Sequence, residues 1–376
     1  MQWSLEKRPH VLADLYGCSA IKTYLTACAK QKSFPESMCF QGQYGTGKTS
    51  AALIAAQMMV CNNPDEDGNP CCECAACKDI INNSFHRDVV MYDGGQMKKD
   101  DIIDTISRDI SLPTRYDKRK VIIMEEVQEL STKAKNAMLK ILEMHKPHVH
   151  FIFTSMENLG RNGFTSRSVQ FNFQQAQIKD LMMYMAKLLQ SEGLWDEAKL
   201  PKEFLYDGLA NIAQNANGSY RDAVQILQKC LMAETYTKEA MATNFNILDS
   251  ETYVDILYNI LNGTPDEKML NALITNDYTA AFRMSYALIA SAEQFRTFGF
   301  TTGSSYTEAA AKKLSSHPNF DIILNGFKNV SLSNKNGYLE KSDYILEVCD
   351  MVRKCKAAKS ATPEAKPAVA VRRIKG

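Results

Sequence analysis

The stretch GQYGTGKTS, from Gly42 to Ser50, fits the pattern G-x-x-x-x-G-K-[ST] through Gly42, Gly47, Lys48 and Thr49. Glycines at this spacing let backbone N–H groups turn inward around a chain of phosphates. An apolar run precedes the stretch and a helical pattern, KTSAALIAAQMMV, follows it. That context separates a phosphate loop from an ordinary glycine turn, and the helix directs the positive end of its dipole at the phosphates. Lys48 is then placed to reach the β and γ phosphates and Thr49 to ligate Mg²⁺, while Gln43, Tyr44, Gly45, Thr46 and Ser50 complete the loop.

A phosphate loop needs a second metal anchor. KVIIMEEVQEL supplies Glu125 and Glu126 directly after four apolar residues. One carboxylate would hold Mg²⁺, directly or through water, and the next would polarise the attacking water. FTS, 153–155, ends another apolar run, where a hydroxyl could orient that water or touch the γ-phosphate. Two arginines stand apart. Arg167, in FTSRSVQF, comes just before a short strand at the rim, and Arg221, in GSYRDAVQILQ, falls in a first helical turn. A cation there opposes the helix dipole, so Arg221 either meets an anion or lies on the surface.

The second cluster is sulfur. Cys61-x₉-Cys71-x₂-Cys74-x₂-Cys77 has the spacing of four thiolates around tetrahedral Zn²⁺. An iron–sulfur site or no metal are the other readings. Cys72 is left over, although it could take the place of Cys71. Nothing nearby offers an open catalytic position, so a zinc here is structural. The other six of the 11 cysteines are scattered and read as small buried apolar residues.

The elements that must position these groups follow from the pattern of apolar runs. SMCFQG (37–42), DVVMYD (88–93), KVIIME (120–125) and VHFIFTS (149–155) read as buried strands alternating with helices, and SVQFNF (168–173) as a fifth. In such a parallel sheet the site lies at the carboxyl ends of the strands. After Phe173 the spacing turns helical, beginning with QIKDLMMYMAKLLQSEG (177–193), and stays so to about residue 355. No apolar run reaches the roughly 18 residues of a membrane span, and MQWSLEKRPH lacks the apolar stretch of a signal peptide. These features point to the cytoplasm, where thiols stay reduced. Net charge is +1, but residues 353–376 hold eight Lys/Arg against one Glu, so any other positive surface must be local.

Taken in order, EKRPHVLADLYG, GQYGTGKTS, the four-cysteine insert, HRDVVMYDGG, KVIIMEEVQELSTKAKNAMLKILE, FTSMENL, TSRSVQF and GSYRDA resemble the γ/τ subunits of bacterial replicative clamp loaders, members of the AAA+ ATPases. The likeness covers residues 1–235, and the insert after the phosphate-loop helix is its most specific element. Beyond 245 only helical content and size agree. The resemblance implies an α/β AAA+ P-loop domain with helices on both faces of a parallel sheet over 1–173, with a zinc module at 61–77. It further implies a helical lid over 174–242 and an all-α oligomerising collar over 243–355; the tail over 356–376, rich in Ala, Pro and Lys and without aromatics, reads as basic and disordered.

By position, the resemblance gives Lys48 and Thr49 the phosphate and Mg²⁺, Glu125 the metal-facing acid and Glu126 the water-activating one. Ser155 takes the sensor position, Arg167 the arginine finger that completes a neighbour's site, and Arg221 the γ-phosphate of its own subunit. Arg8 and Pro9 fall beside the adenine. Three departures stand out: Glu125–Glu126 where the family has Asp–Glu, SRS for SRC, and Gly94–Gly95 for a small pair after an Asp. No long polymerase-tethering extension follows the collar, which matches the shorter γ form or a phage-encoded relative.

The resemblance further implies an ATP- and Mg²⁺-dependent cycle at subunit interfaces of a pentamer with other clamp-loader subunits. ATP binding opens a sliding clamp and grips primer–template DNA, and hydrolysis releases them, with polymerase or single-strand-binding protein as further partners. It places the chain in a bacterial cytoplasm or that of a phage-infected host. Sequence-independent loading calls for phosphate contacts, for which Lys98, Lys99, Lys133 and Lys135 are candidates. The rival readings are a non-hydrolysing structural subunit of the same complex, another AAA+ replication or helicase-loading ATPase, and a metal or redox protein built on the cysteines.

Overall fold

The computed structural model describes residues 3–361 except 83–85, 87, 115–118, 145, 161–162, 164, 246, 275–277, 300–304 and 334–340. The chain divides into two compact units, Met1–Glu234 and Thr235–Gly376.

In the first unit, strands β1 (Ser37–Gly42), β2 (Val89–Asp93), β3 (Lys120–Glu125), β4 (Val149–Ser155) and β5 (Val169–Phe173) form one sheet in the order β2-β3-β4-β1-β5. Every pairing is parallel. The three central strands are buried almost throughout, which is why they read as unbroken apolar runs, whereas the edge strands carry exposed positions.

Strand alternation splits the core between two faces. On one, Met38, Phe40, Val121, Ile123 and Ile152 meet α1 (Ser19–Lys30) and α2 (Lys48–Val60). The four alanines of α2, Ala51, Ala52, Ala55 and Ala56, are fully buried and let the helix lie close on the sheet. On the other face, Cys39, Ile122, Met124, Phe151 and Phe153 meet Ala134, Ala137, Met138 and Ile141 of α4 (Thr132–Leu142). They also meet Ile102, Ile106 and Ile110, from a helix that passes through a π-turn over Ile102–Ile106.

Between α2 and β2 the cysteine insert ends in a short helix, α3 (Ala75–Ile81). Helices α5 (Ile178–Ser191), α6 (Leu209–Asn215) and α7 (Tyr220–Met232) follow the sheet and cluster with it in the first unit. Their inward stripe includes Leu181, Met185 and Leu188, the helical spacing read from the sequence.

The second unit is helical among its described residues, with helices at Ser250–Leu261, Glu267–Ile274, Tyr278–Phe298, Ser305–Ser315, Phe320–Ser333 and Lys341–Ala361. Tyr253, Phe320, Phe327 and Tyr344 anchor its core. Gly326 lets the last two helices approach: a Cβ there would lie 2.4 Å from the sulfur of Met351. The final helix runs on to Ala361, so the first residues of the basic tail continue it. The rest of that tail lies outside the described residues.

Candidate functional site

Parallel pairing delivers Gly42, Asp93, Glu125 and Ser155 to the same end of the sheet. From Gly42 the chain turns through the glycine loop into α2. Gly45 has φ +73°, and a Cβ there would fall 1.8 Å from the Ser219 hydroxyl, so only glycine fits. Its carbonyl accepts from the Tyr220 N–H at 2.9 Å, which stitches the loop to the start of α7. Lys48 folds back along the loop, donating to the carbonyls of Gly42 (2.6 Å) and Gln43 (2.8 Å). Burial pushes the Lys48 ammonium below its usual pKa; Arg221 adds to that, while Glu126 and Glu125 oppose it. The Thr49 hydroxyl donates to Glu125 Oε1 at 2.5 Å, so the two groups assigned to Mg²⁺ already face each other.

These residues line a cleft of about 310 Å³ that also takes in Arg8, Asp93, Glu126 and Arg221. Burial, then the like charge of Arg221, lowers the pKa of Arg8. Three cations held this close are stabilised by an anion between them. Arg221 reaches back to the loop, with Nη1 donating to the Tyr44 hydroxyl at 2.6 Å and the guanidinium 4.7 Å from the ring centroid. Away from the loop, the lining includes Pro9, Leu15, Tyr16, Tyr184, Tyr220 and Val224, a largely apolar group. Tyr184 packs edge-on against Tyr16 (5.4 Å) and Tyr220 (5.3 Å). One end of the cleft thus suits phosphates with a metal, and the other a planar base.

The acid turn is tightly held. Glu126 leaves the strand at φ +51°, its N–H donating to Thr154 Oγ1 at 3.3 Å, and its carboxylate accepts from Gln128 Nε2 at 2.6 Å. Gly94 donates to the Glu125 carbonyl at 2.8 Å. A Cβ at Gly94 would lie 2.7 and 2.8 Å from the carbonyl oxygens of Glu126 and Glu125, which accounts for glycine after Asp93. Ser155 is fully buried; its hydroxyl donates to the Glu157 carbonyl (2.9 Å) and accepts from the Glu157 N–H (3.1 Å). The neighbouring Thr154 reaches the acid turn, its Oγ1 accepting from the Glu126 N–H.

Arg167 lies elsewhere. Its carbonyl accepts from Ser37 Oγ at 2.6 Å, at the amino end of β1, while the phosphate loop leaves the carboxyl end. Six residues of strand, about 17–20 Å, separate the two, far more than an arginine side chain spans. The guanidinium donates to the Gly163 carbonyl (3.1 Å) and to Glu143 Oε1 (2.6 Å) beside a separate cavity of about 320 Å³.

The thiols of Cys61, Cys71, Cys74 and Cys77 lie within 4.8 Å of one another. None is in a disulfide: the Cys61 and Cys71 sulfurs stand 3.5 Å apart, no disulfide distance. Backbone N–H groups of Cys71 and Cys74 point at sulfurs 3.3 Å away, the pattern that supports thiolates. This set fits a tetrahedral metal. Cys72 turns out of it at φ +58°, its sulfur nearest the carbonyls of Pro70 and His10.

Lys98, Lys99 and Lys133 come together on a groove beside the start of α4. Lys135 is set differently, donating to the Gln128 carbonyl at 2.8 Å. Asp93, Gln128 and the tyrosine wall are not singled out by the sequence. Asp93 had a signal, an acid at a strand's carboxyl end, but the tyrosines come from three distant segments.

Residues 18–177 match the family model described as "DNA polymerase III, delta subunit". The chain is 34% identical over 225 residues to the DNA polymerase III subunit tau of Bacillus subtilis, covering 60% of this chain and 38% of that protein. It is 30% identical over 284 residues to the DNA polymerase III subunit gamma/tau of Mycoplasma genitalium, covering 74% of this chain and 43% of that one. It thus spans well under two thirds of these relatives' length. Among solved structures, the RuvB Holliday junction branch migration motor of Thermotoga maritima superposes with a TM-score of 0.47 at 15% identity, over 79% of this chain and all of that one, a likeness too loose to argue from. With its motifs in that family's order, the chain belongs to the DNA polymerase III gamma/tau family.

Proposed function

We propose that this chain is an ATP-hydrolysing subunit of a sliding-clamp loader. The observation that carries the reading is the separation of two sets of groups. Lys48, Thr49, Glu125, Glu126 and Arg221 share one cleft, whereas Arg167 sits at the far end of β1. ATP would lie with its base against the tyrosine wall near Arg8 and Pro9 and its phosphates in the loop. Mg²⁺, held by Thr49 and Glu125, would neutralise the phosphate oxygens. Glu126 would orient and deprotonate the attacking water. Arg167, unable to serve its own cleft, would serve that of an adjoining subunit, as an arginine finger in trans.

ATP then holds subunits together and hydrolysis loosens them. The second unit would act as the collar that assembles them, and Lys98, Lys99 and Lys133 would grip DNA phosphates without reading sequence. The cysteine site would carry a structural Zn²⁺ that staples the polar insert. The test is ATP hydrolysis by the full chain assembled with its partner subunits, with and without clamp and primer–template DNA. Stimulated turnover is expected. No turnover in a complex that still loads clamps would assign the chain a structural role instead.

A further inference from the structure

Glu126 projects from a turn rather than from the strand, so its carboxylate needs an external hold to present one oxygen to a water. Gln128, two residues on, provides one. Its amide nitrogen donates to Glu126 Oε2 at 2.6 Å, and its amide oxygen accepts from the Met156 N–H, just beyond β4, at 3.3 Å. Both ends are engaged, and a carboxylate can only accept, so the amide has one orientation. The Gln128 carbonyl is fixed as well, by Lys135 at 2.8 Å. The amide therefore ties the acid turn of β3 to the end of β4.

We infer that Gln128 is a positioning residue for the hydrolytic step: it occupies Oε2 of Glu126 and leaves Oε1 as the oxygen that receives the proton of the attacking water. The inference rests on the reading of Glu126 as the water-activating carboxylate. Gln128 does not line the cleft, so it acts on turnover through Glu126 and not on nucleotide binding.

The experiment uses the full chain in its assembled complex, with phosphate release at saturating ATP for kcat and a fluorescent ATP analogue for affinity. Gln128→Leu removes the donor at similar volume. Losing one hydrogen bond to a charged group corresponds to roughly tenfold or more in kcat, with analogue affinity within twofold of the parent. Gln128→His, which keeps an N–H donor, should recover most of the loss. Unchanged or raised turnover in Gln128→Leu, or a parallel loss of affinity, would overturn the positioning role. Glu126→Gln separates the two levels: if it keeps both affinity and turnover, the reading of Glu126 falls, and this inference with it. If it keeps affinity and loses turnover, any failure belongs to Gln128 alone.

Discussion

Lys48 carries its charge where burial works against it, and its two hydrogen bonds run to the loop's own carbonyls. Such an ammonium is poised for an anion that can satisfy it better. Each hydrogen bond from it to a phosphate is worth about 1.5–3 kcal/mol, so Lys48→Ala should weaken ATP binding by roughly 10- to 150-fold, read by titration with a fluorescent analogue. Gly94 tests the acid turn independently of charge. Gly94→Ala drives a methyl group against the carbonyls of Glu125 and Glu126 and must shift both. A shift of this kind costs about 1–3 kcal/mol, and turnover should fall at least tenfold while ATP affinity holds. Parent-level turnover in that variant would show that the turn has slack.

At the scale of elements, the cysteine insert and the lysine groove each make a distinct forecast. Gly68 of the insert packs against Ala29 of α1, and Asp67 pairs with Lys30 at 2.8 Å, so metal loss should loosen α1 as well as the loop. Elemental analysis should find one zinc per chain. Cys74→Ser should lose it and lower the melting temperature of the unit Met1–Glu234, by about 2–4 °C for each kcal/mol lost at that size. A protein free of metal and equally stable would contradict this. For the groove, Lys98→Ala, Lys99→Ala and Lys133→Ala combined should reduce the slope of log affinity for duplex DNA against log salt by about 0.9 for every phosphate no longer neutralised. Lys135→Ala, whose amine is already engaged, should change it least.

These elements also show what could be read in advance. The five strands were legible as apolar runs with definite ends, the three central ones because both their faces are buried, and those ends located Glu125 and Glu126. The gathering of Cys61, Cys71, Cys74 and Cys77 was legible because their spacing is local. The tyrosine wall was not, since Tyr16, Tyr184 and Tyr220 become neighbours only when α5 and α7 pack beside the loop. Nor was the bond from the Glu126 N–H to Thr154 Oγ1, which depends on which face of β4 meets the acid turn.

For the whole molecule, one chain would hold half of each of two sites: a cleft for ATP, and an arginine offered to the cleft next door. The length of β1 between Ser37 and Gly42 enforces that division. The most direct test compares ATP-analogue binding and ATP hydrolysis for Arg167→Ala and Lys48→Ala in the assembled complex. Arg167→Ala should bind as the parent does but lose roughly 10³-fold or more in turnover, whereas Lys48→Ala should lose binding itself. Turnover unaffected by Arg167→Ala, or a loss of binding equal to that of Lys48→Ala, would contradict that division.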